Sequence, residues 1–178
     1  VHVTAAGQID RDYAAGFRRD MGGSALVRWP AGGYLVGVGD LDFGVLRVFE
    51  DGTGDPRFLT EVGLPTWPLC FAVEVGGSVV GGGAEGWSFL SDTQPALVRM
   101  NVDGSFAADL GQTAGLRAPV SQLRPILALV TLPDGKLLVG GAFTEMGGLP
   151  GRALARLHED GHVDYSFDAG PVLSRIET

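Results

Sequence analysis

Apolar positions come in short runs, each closed by a glycine-bearing turn, and the pattern alternates with the two-residue period of strands rather than the 3.6-residue period of long helices. The clearest stretch begins at Ile126. Residues 126–132 are apolar and partly β-branched, Pro133-Asp134-Gly135 makes a turn, residues 137–141 are apolar again, residues 153–158 alternate, and Asp160-Gly161 leads into His162-Val163-Asp164. Asp-Gly between two short strands predicts a two-residue hairpin, because both central positions then need a positive φ that these residues tolerate. The same order predicts earlier strands at 25–29, 34–38, 45–49 and 53–58, then at 69–75, 78–82, 96–101 and 105–110. One helical rival exists, Ile9, Tyr13 and Phe17 at helical spacing. Gly7 and Gly16 flank it, and the repeat described next assigns its first half to a strand.

The runs form an internal repeat, the first thing to look for in such a chain. One column holds Gly7, Gly52, Gly104 and Gly161, spaced by 45, 52 and 57 residues, with Asp51, Asp103 and Asp160 ahead of the last three. A second column holds Asp10, Asp55, Ala107 and Asp164, a third Tyr13, Phe58, Leu110 and Phe167, and upstream lie His2, Arg47, Arg99 and Arg156. A further landmark, a turn before a short apolar run ending in Val-Gly, recurs at residues 30–37, 74–81 and 133–140.

Four short antiparallel strands per unit predict an all-β fold, a β-propeller of four-stranded blades that bury their faces against one another. Complete units span 14–58, 59–110 and 111–167. Residues 1–13 read as outer strands of a preceding blade. Residues 168–178 read as the innermost strand of the next, since 171–178 resemble 125–132. Loops between second and third strands, short at 39–44 and long at 84–95 and 144–152, absorb the variation in period. Closed propellers have roughly 4 to 8 blades, so about three blades imply a segment of a longer protein, the favoured reading, or a subunit completed by neighbours. A third arrangement has the two ends sharing one blade of a four-bladed ring.

Composition narrows the partners. Glycine numbers 29 of 178 residues and hydrophobic residues hold at 45%, which suits a folded chain rich in turns. A net charge of -8 disfavours nucleic acid and anionic lipid surfaces, and the apolar runs are too short for a membrane-spanning helix, so neither nucleic-acid binding nor membrane insertion is expected. Cys70 is the single cysteine, and Leu69-Cys70-Phe71-Ala72 is an apolar setting that predicts a small buried thiol.

The run Asp134-Gly135-Lys136-Leu137-Leu138-Val139-Gly140-Gly141-Ala142-Phe143-Thr144, followed by Ala153-Leu154-Ala155-Arg156-Leu157 and residues 160–167, resembles the delta-60 repeat. The resemblance implies bacterial β-propeller repeats of unassigned function, often in secreted or surface proteins, and brings no catalytic residues. It is close in the third unit and degenerate in the others. Ala31 and Val75 replace the turn Asp, Ala107 replaces the later Asp, and the family's Asn survives as Asn101 but is Phe49 or His158 elsewhere.

Each candidate chemistry has a plainer reading. Asp51 to Asp55, Asp160 to Asp164 and Asp40-Leu41-Asp42 offer oxygen ligands, yet they lack the ligand set of a calcium loop, and turn chemistry explains them. His158 and His162 bracket a turn in which Glu159 would face His162, and no third ligand accompanies them, so no metal site is expected. Arg47, Arg99 and Arg156 form either an anion-binding ring or, more ordinarily, pairs with the recurring Asp. Trp29 takes the strand-end position of Leu132 and reads as core. Trp67, in a connection between blades, and Trp87 with Phe89, in a long loop, are the candidate binding aromatics, for protein or glycan. Gly81-Gly82-Gly83 reads as strand rather than phosphate loop, since no helix follows. A lactonase-type hydrolase needs polar residues where the innermost strands begin, and Ser24, Leu69 and Ile126 stand there. The expectation is a non-catalytic scaffold or recognition module without cofactor, its partner a protein: the rest of a longer propeller or neighbouring subunits.

Overall fold

The computed structural model describes residues 6, 8, 23–38, 44–55, 66–85, 97–117, 126–150 and 153–168. One hairpin turn, used six times, organises them. In the turn after Trp29 the Trp29 N–H donates to Gly33 O at 2.9 Å and the Gly32 N–H donates back to Trp29 O at 3.0 Å. The same two bonds recur after Phe49, Glu74, Asn101, Leu132 and His158. The loop therefore has three residues, the last a glycine with φ between 81° and 97°: Gly32, Gly52, Gly77, Gly104, Gly135 and Gly161.

This corrects the expected two-residue turn. A type I turn followed by a left-handed residue asks positive φ of the glycine alone, and no described non-glycine residue has one. The preceding aspartate instead accepts from the N–H two residues on, as Asp51 does from Thr53 (2.9 Å), Asp103 from Ser105 (2.9 Å), Asp134 from Lys136 (3.3 Å) and Asp160 from His162 (3.0 Å). The second unit's register also shifts by one. Gly77 is the left-handed residue, so Gly76, not Val75, stands where Asp134 does. A two-residue loop appears at Gly147-Gly148, both with positive φ, joining the paired segments Glu145–Met146 and Leu149–Pro150.

The first sheet holds β1 (Gly23–Arg28), β2 (Tyr34–Val38) and β3 (Gly44–Val48). The second holds β4 (Thr66–Val73), β5 (Val79–Glu85), β6 (Leu97–Met100) and β7 (Phe106–Asp109). The third holds β8 (Ile126–Thr131), β9 (Leu137–Gly141) and β12 (Leu154–Leu157), with the small hairpin β10 (Glu145–Met146) and β11 (Leu149–Pro150) in the loop before β12. All pairings are antiparallel, and the expected all-β class is what the described residues show.

The expected strand 162–164 is a single bridge, Leu157 with Val163, and the described part of 53–58, residues 53–55, likewise holds one, Val48 with Gly54. The next residue in each case is aspartate. Asp164 donates its N–H to Arg156 O, then its carboxylate accepts from the N–H and hydroxyl of Ser166, which turns the chain out of the sheet. Ala107 has no carboxylate to do this, and β7 continues until Asp109. There Asp109 Oδ1 accepts from Gln112 N and caps α1 (Leu110–Thr113), so Leu110 starts a helical turn instead of ending a strand. β4 also begins earlier than expected, at Thr66, with a register shift between Pro68 and Cys70 that β1 and β8 repeat.

Neighbouring sheets approach most closely through their first strands, β1 against β4 and β4 against β8, while the outer strands β3, β6 and β12 stand further apart. Stacked wedges of this kind are consistent with a propeller-like fold. Glycine permits the close approach: a Cβ on Gly37 would lie 2.6 Å from Pro68 O. Trp29, Leu35, Val45, Val79, Val98 and Met100 fill the first junction, and Ala72, Val80, Leu97, Leu129, Val139 and Leu157 are among those filling the second. Ser24 Oγ donates to Pro68 O (2.6 Å) across the first and Thr131 Oγ1 to Val73 O (2.5 Å) across the second. Gly7, residues 9–20, the loop residues 39–43 and 86–96, and residues 169–178 lie outside the described residues.

Candidate functional site

The strongest recurring charge in the sequence, the arginine column, falls at one register. Arg47, Arg99 and Arg156 pair with Leu35, Val80 and Leu138 of the neighbouring strand, so each guanidinium leaves the same side of its sheet.

Arg156 is the most elaborately held. Its Nε lies 2.8 Å from Asp164 Oδ2, its NH2 donates to Ser166 Oγ at 3.3 Å, and its guanidinium lies 4.8 Å from the Phe167 ring centroid. Lys136 Nζ reaches the same Asp164 oxygen at 2.9 Å. Asp164 is buried, yet the Ser166 hydroxyl, the Lys136 ammonium and Arg156 together hold its carboxyl far below the usual carboxylate range. Arg47 repeats this more loosely, with Asp55 Oδ2 at 3.5 Å, Phe49 at 5.1 Å, and donation to Ala31 O and Gly32 O.

In the second sheet Ala107 stands where Asp164 does, and Arg99 finds another anion. It grips Glu74 with two bonds, Nε to Oε2 at 2.7 Å and NH2 to Oε1 at 2.5 Å, and donates a third to Glu159 O at 2.6 Å in the next sheet. The expectation of Arg–Asp pairing thus describes Arg47 and Arg156, and Arg99 departs from it. Each of the three is spent on an internal contact.

The histidines also correct their expected geometry. With a three-residue loop, His158 and His162 close the hairpin opposite each other, and Glu159 lies inside the loop. His162 Nδ1 sits 3.3 Å from Asp160 Oδ1, and His158 Nε2 sits 3.8 Å from Asp164 Oδ1. Among the described residues no three His, Cys, Asp or Glu side chains gather in a metal-binding group. Asp51 bonds Thr53, and Asp55 bonds Arg47; Asp40 and Asp42 lie outside the described residues.

Trp29 is buried in the first junction, as expected of core. Trp67 belongs to β4, paired with Ala84, rather than to a connection between sheets; the β4 extension through Thr66 carries it into the ladder. The Trp67 side chain, Trp87 and Phe89 lie outside the described residues. Ser24 donates to backbone, Ile126 packs on Gly82, and Gly81 and Gly82 lie in β5. Cys70 Sγ donates to Gly82 O at 3.3 Å, and burial pushes its thiol up to about 12. A cleft beside Arg156 and Asp164, floored by Met146 and Val163, measures about 10 Å³, enough for a single water.

Sequence reasoning missed Glu74, Lys136 and Ser166. Ser166 carried a usable signal, since Asp-x-Ser favours a side-chain turn. Glu74 carried a weaker one, a lone acid closing an apolar strand. Lys136 carries a signal only as part of the repeat motif.

Comparison with known proteins gives a fold and no activity. A family described as domain of unknown function (DUF5122) beta-propeller matches residues 132–167. No curated protein matches the chain. A crystal structure of a protein of unknown function from Bacteroides caccae is similar at 16% identity and a TM-score of 0.50, over 78% of this chain and 46% of that one. The chain thus spans about half the length of that neighbour.

Proposed function

We propose that this chain is a non-catalytic β-propeller segment, a scaffold or recognition surface within a secreted or cell-surface bacterial protein, as its resemblance to delta-60 repeats implies. The observation that carries the reading is the fate of the arginine column. Three recurrent cations, the obvious candidates for an anion site, are consumed by Asp55, Glu74 and Asp164 within their own sheets. Recurrence here serves folding, and the surface is left to serve partners. The expected units 14–58, 59–110 and 111–167 then act as three blades, and the partner is protein: further blades of a longer chain or neighbouring subunits.

A panel of lactone, ester and phosphate-ester substrates, each with calcium, magnesium or zinc, tests this against the hydrolase alternative. No turnover above buffer is expected. Metal-dependent turnover that tracks the purified chain overturns the reading.

A further inference from the structure

Among the described residues, the third sheet leaves open a face that the first two sheets keep covered. Val130 of β8 pairs with Leu138 of β9, which pairs with Arg156 of β12, so the three share one side, and Ala128, Gly140 and Leu154 extend it. In the second sheet the same positions are Ala72, Val80 and Leu97, exposed by 6%, 0% and 0% beneath the third sheet. In the first sheet Leu35 and Val45 are buried in the same way. On the third sheet Val130 is 54% exposed, and Leu138 and Leu154 are only half-buried. One exposed valine needs no explanation. A face matched position by position to two buried ones does.

Gly140 marks the face more sharply. At its counterparts the next sheet arrives: a Cβ on Gly37 would meet Pro68 O at 2.6 Å, and one on Gly82 would meet Ile126 Cγ2 at 2.5 Å. Pro68 and Ile126 occupy one register, opposite Gly83 and Gly141, just before the register shift of their sheets' first strands. Around Gly140 the nearest atoms are Ala128 Cβ at 3.6 Å and backbone oxygens at 3.8 Å, all within its own unit. Its φ is not positive, so the backbone does not require glycine there either.

We propose that this face is a docking surface for a further sheet of the same repeat, with Gly140 as the socket for the residue just before the register shift of the incoming first strand. The occupant is named by continuity, since two such junctions already exist in the chain and each seats a proline or a β-branched residue on the glycine. The downstream sequence agrees: residues 171–178 resemble 125–132, with Val172 where Ile126 stands. This deepens the scaffold reading and rests on its packing of wedges, not on the absence of catalysis.

The test duplicates residues 111–167 immediately after Phe167 and compares that chain with the present one, both carrying Cys70→Ala and a single Val130→Cys in the original third unit. Maleimide labelling is expected to be at least about tenfold slower in the duplicated chain, where the face is covered. Gly140→Val should shift the Tm of the present chain by less than about 2 °C and lower that of the duplicated chain by more than about 5 °C, while Gly82→Val damages both. Equal labelling in the two chains overturns the proposal, as does a Gly140→Val that costs them alike. A second comparison needs no duplication: in the present chain Val130→Asp should be tolerated where Ala72→Asp unfolds the protein, and equal damage would show a face already sealed and overturn it. Catalytic turnover would end the scaffold reading and leave these outcomes standing.

Discussion

The hairpins that end the second and third sheets share one turn, with Gly104 and Gly161 at φ of 88° and 90° and an arginine at the same register ahead of it. They differ in what the arginine meets. Arg156 has Asp164, three residues past the turn glycine, together with Lys136, Ser166 and Phe167. Arg99 has Ala107 at that place and takes Glu74 from the end of β4. The register fixes where the cation goes, and the anion comes from whichever side offers one. A ligand site would not tolerate moving its carboxylate to another strand; a packing device does. The swap also reshapes the backbone, since the second hairpin keeps its fourth strand, β7, where the third turns away after a single bridge.

The most damaging way to break the comparison is Asp164→Ala. It strips the shared anion from Arg156 and Lys136 while both remain largely covered, and it removes the turn that holds Ser166. Leaving such charges uncompensated is far costlier than never having them, so Tm should fall by roughly 5–10 °C. Thermal unfolding followed by circular dichroism measures it, and a fall under about 2 °C would show the cluster to be ornamental. The effect depends on pH in a defined sense. Asp164 has its carboxyl depressed in the folded state, so its stabilisation is complete above the ordinary carboxylate pKa of about 4 and is lost as pH falls below it toward the folded value. The Tm gap between wild type and Asp164→Asn should therefore be wide at pH 7 and narrow toward pH 2. A gap independent of pH would assign the loss to packing.

Glu74→Ala makes the parallel cut in the second hairpin and should cost about 2–3 kcal/mol in denaturant unfolding, less than the Asp164 change, because Arg99 keeps its bond to Glu159 O. Adding Ala107→Asp sharpens the comparison. If the two anion positions are interchangeable, the double variant recovers about 1 kcal/mol of the loss. No recovery would mean that the second hairpin has committed its backbone to β7.

The strand order and the turns were legible because they depend on local sequence: alternating apolar residues, and glycine where only glycine tolerates the backbone. Ten of the expected strands appear within a few residues of their places. Errors arose where a side chain overrides the backbone. Asp164 ends a strand that residues 162–164 had the composition to continue, and Asp109 caps a helical turn at a predicted strand end. The candidate site was legible as a column of arginines but not as a set of contacts. Glu74 lies 25 residues from Arg99, and Lys136 lies 28 from Asp164, distances that only sheet pairing closes. The glycine at 140 stands in the sequence as part of a motif, while its meaning depends on Gly37 and Gly82 meeting a neighbouring sheet.

The smallest change tests the element the two hairpins share. Gly104→Ala puts a Cβ on a left-handed residue and should cost about 1 kcal/mol, since an L side chain disfavours that conformation by roughly this amount. Gly161→Ala carries the same backbone strain, plus a Cβ 2.9 Å from Leu110 Cδ2, the free end of a side chain able to give way. The two should therefore agree within about 0.5 kcal/mol, in contrast to the unequal charge substitutions. Combining each with the charge change in its own hairpin asks whether turn and ion pair act separately. Additive losses would show that the turn forms whichever anion is present. A loss in the third hairpin well below the sum would instead show that Asp164 and its cations help to hold the turn closed.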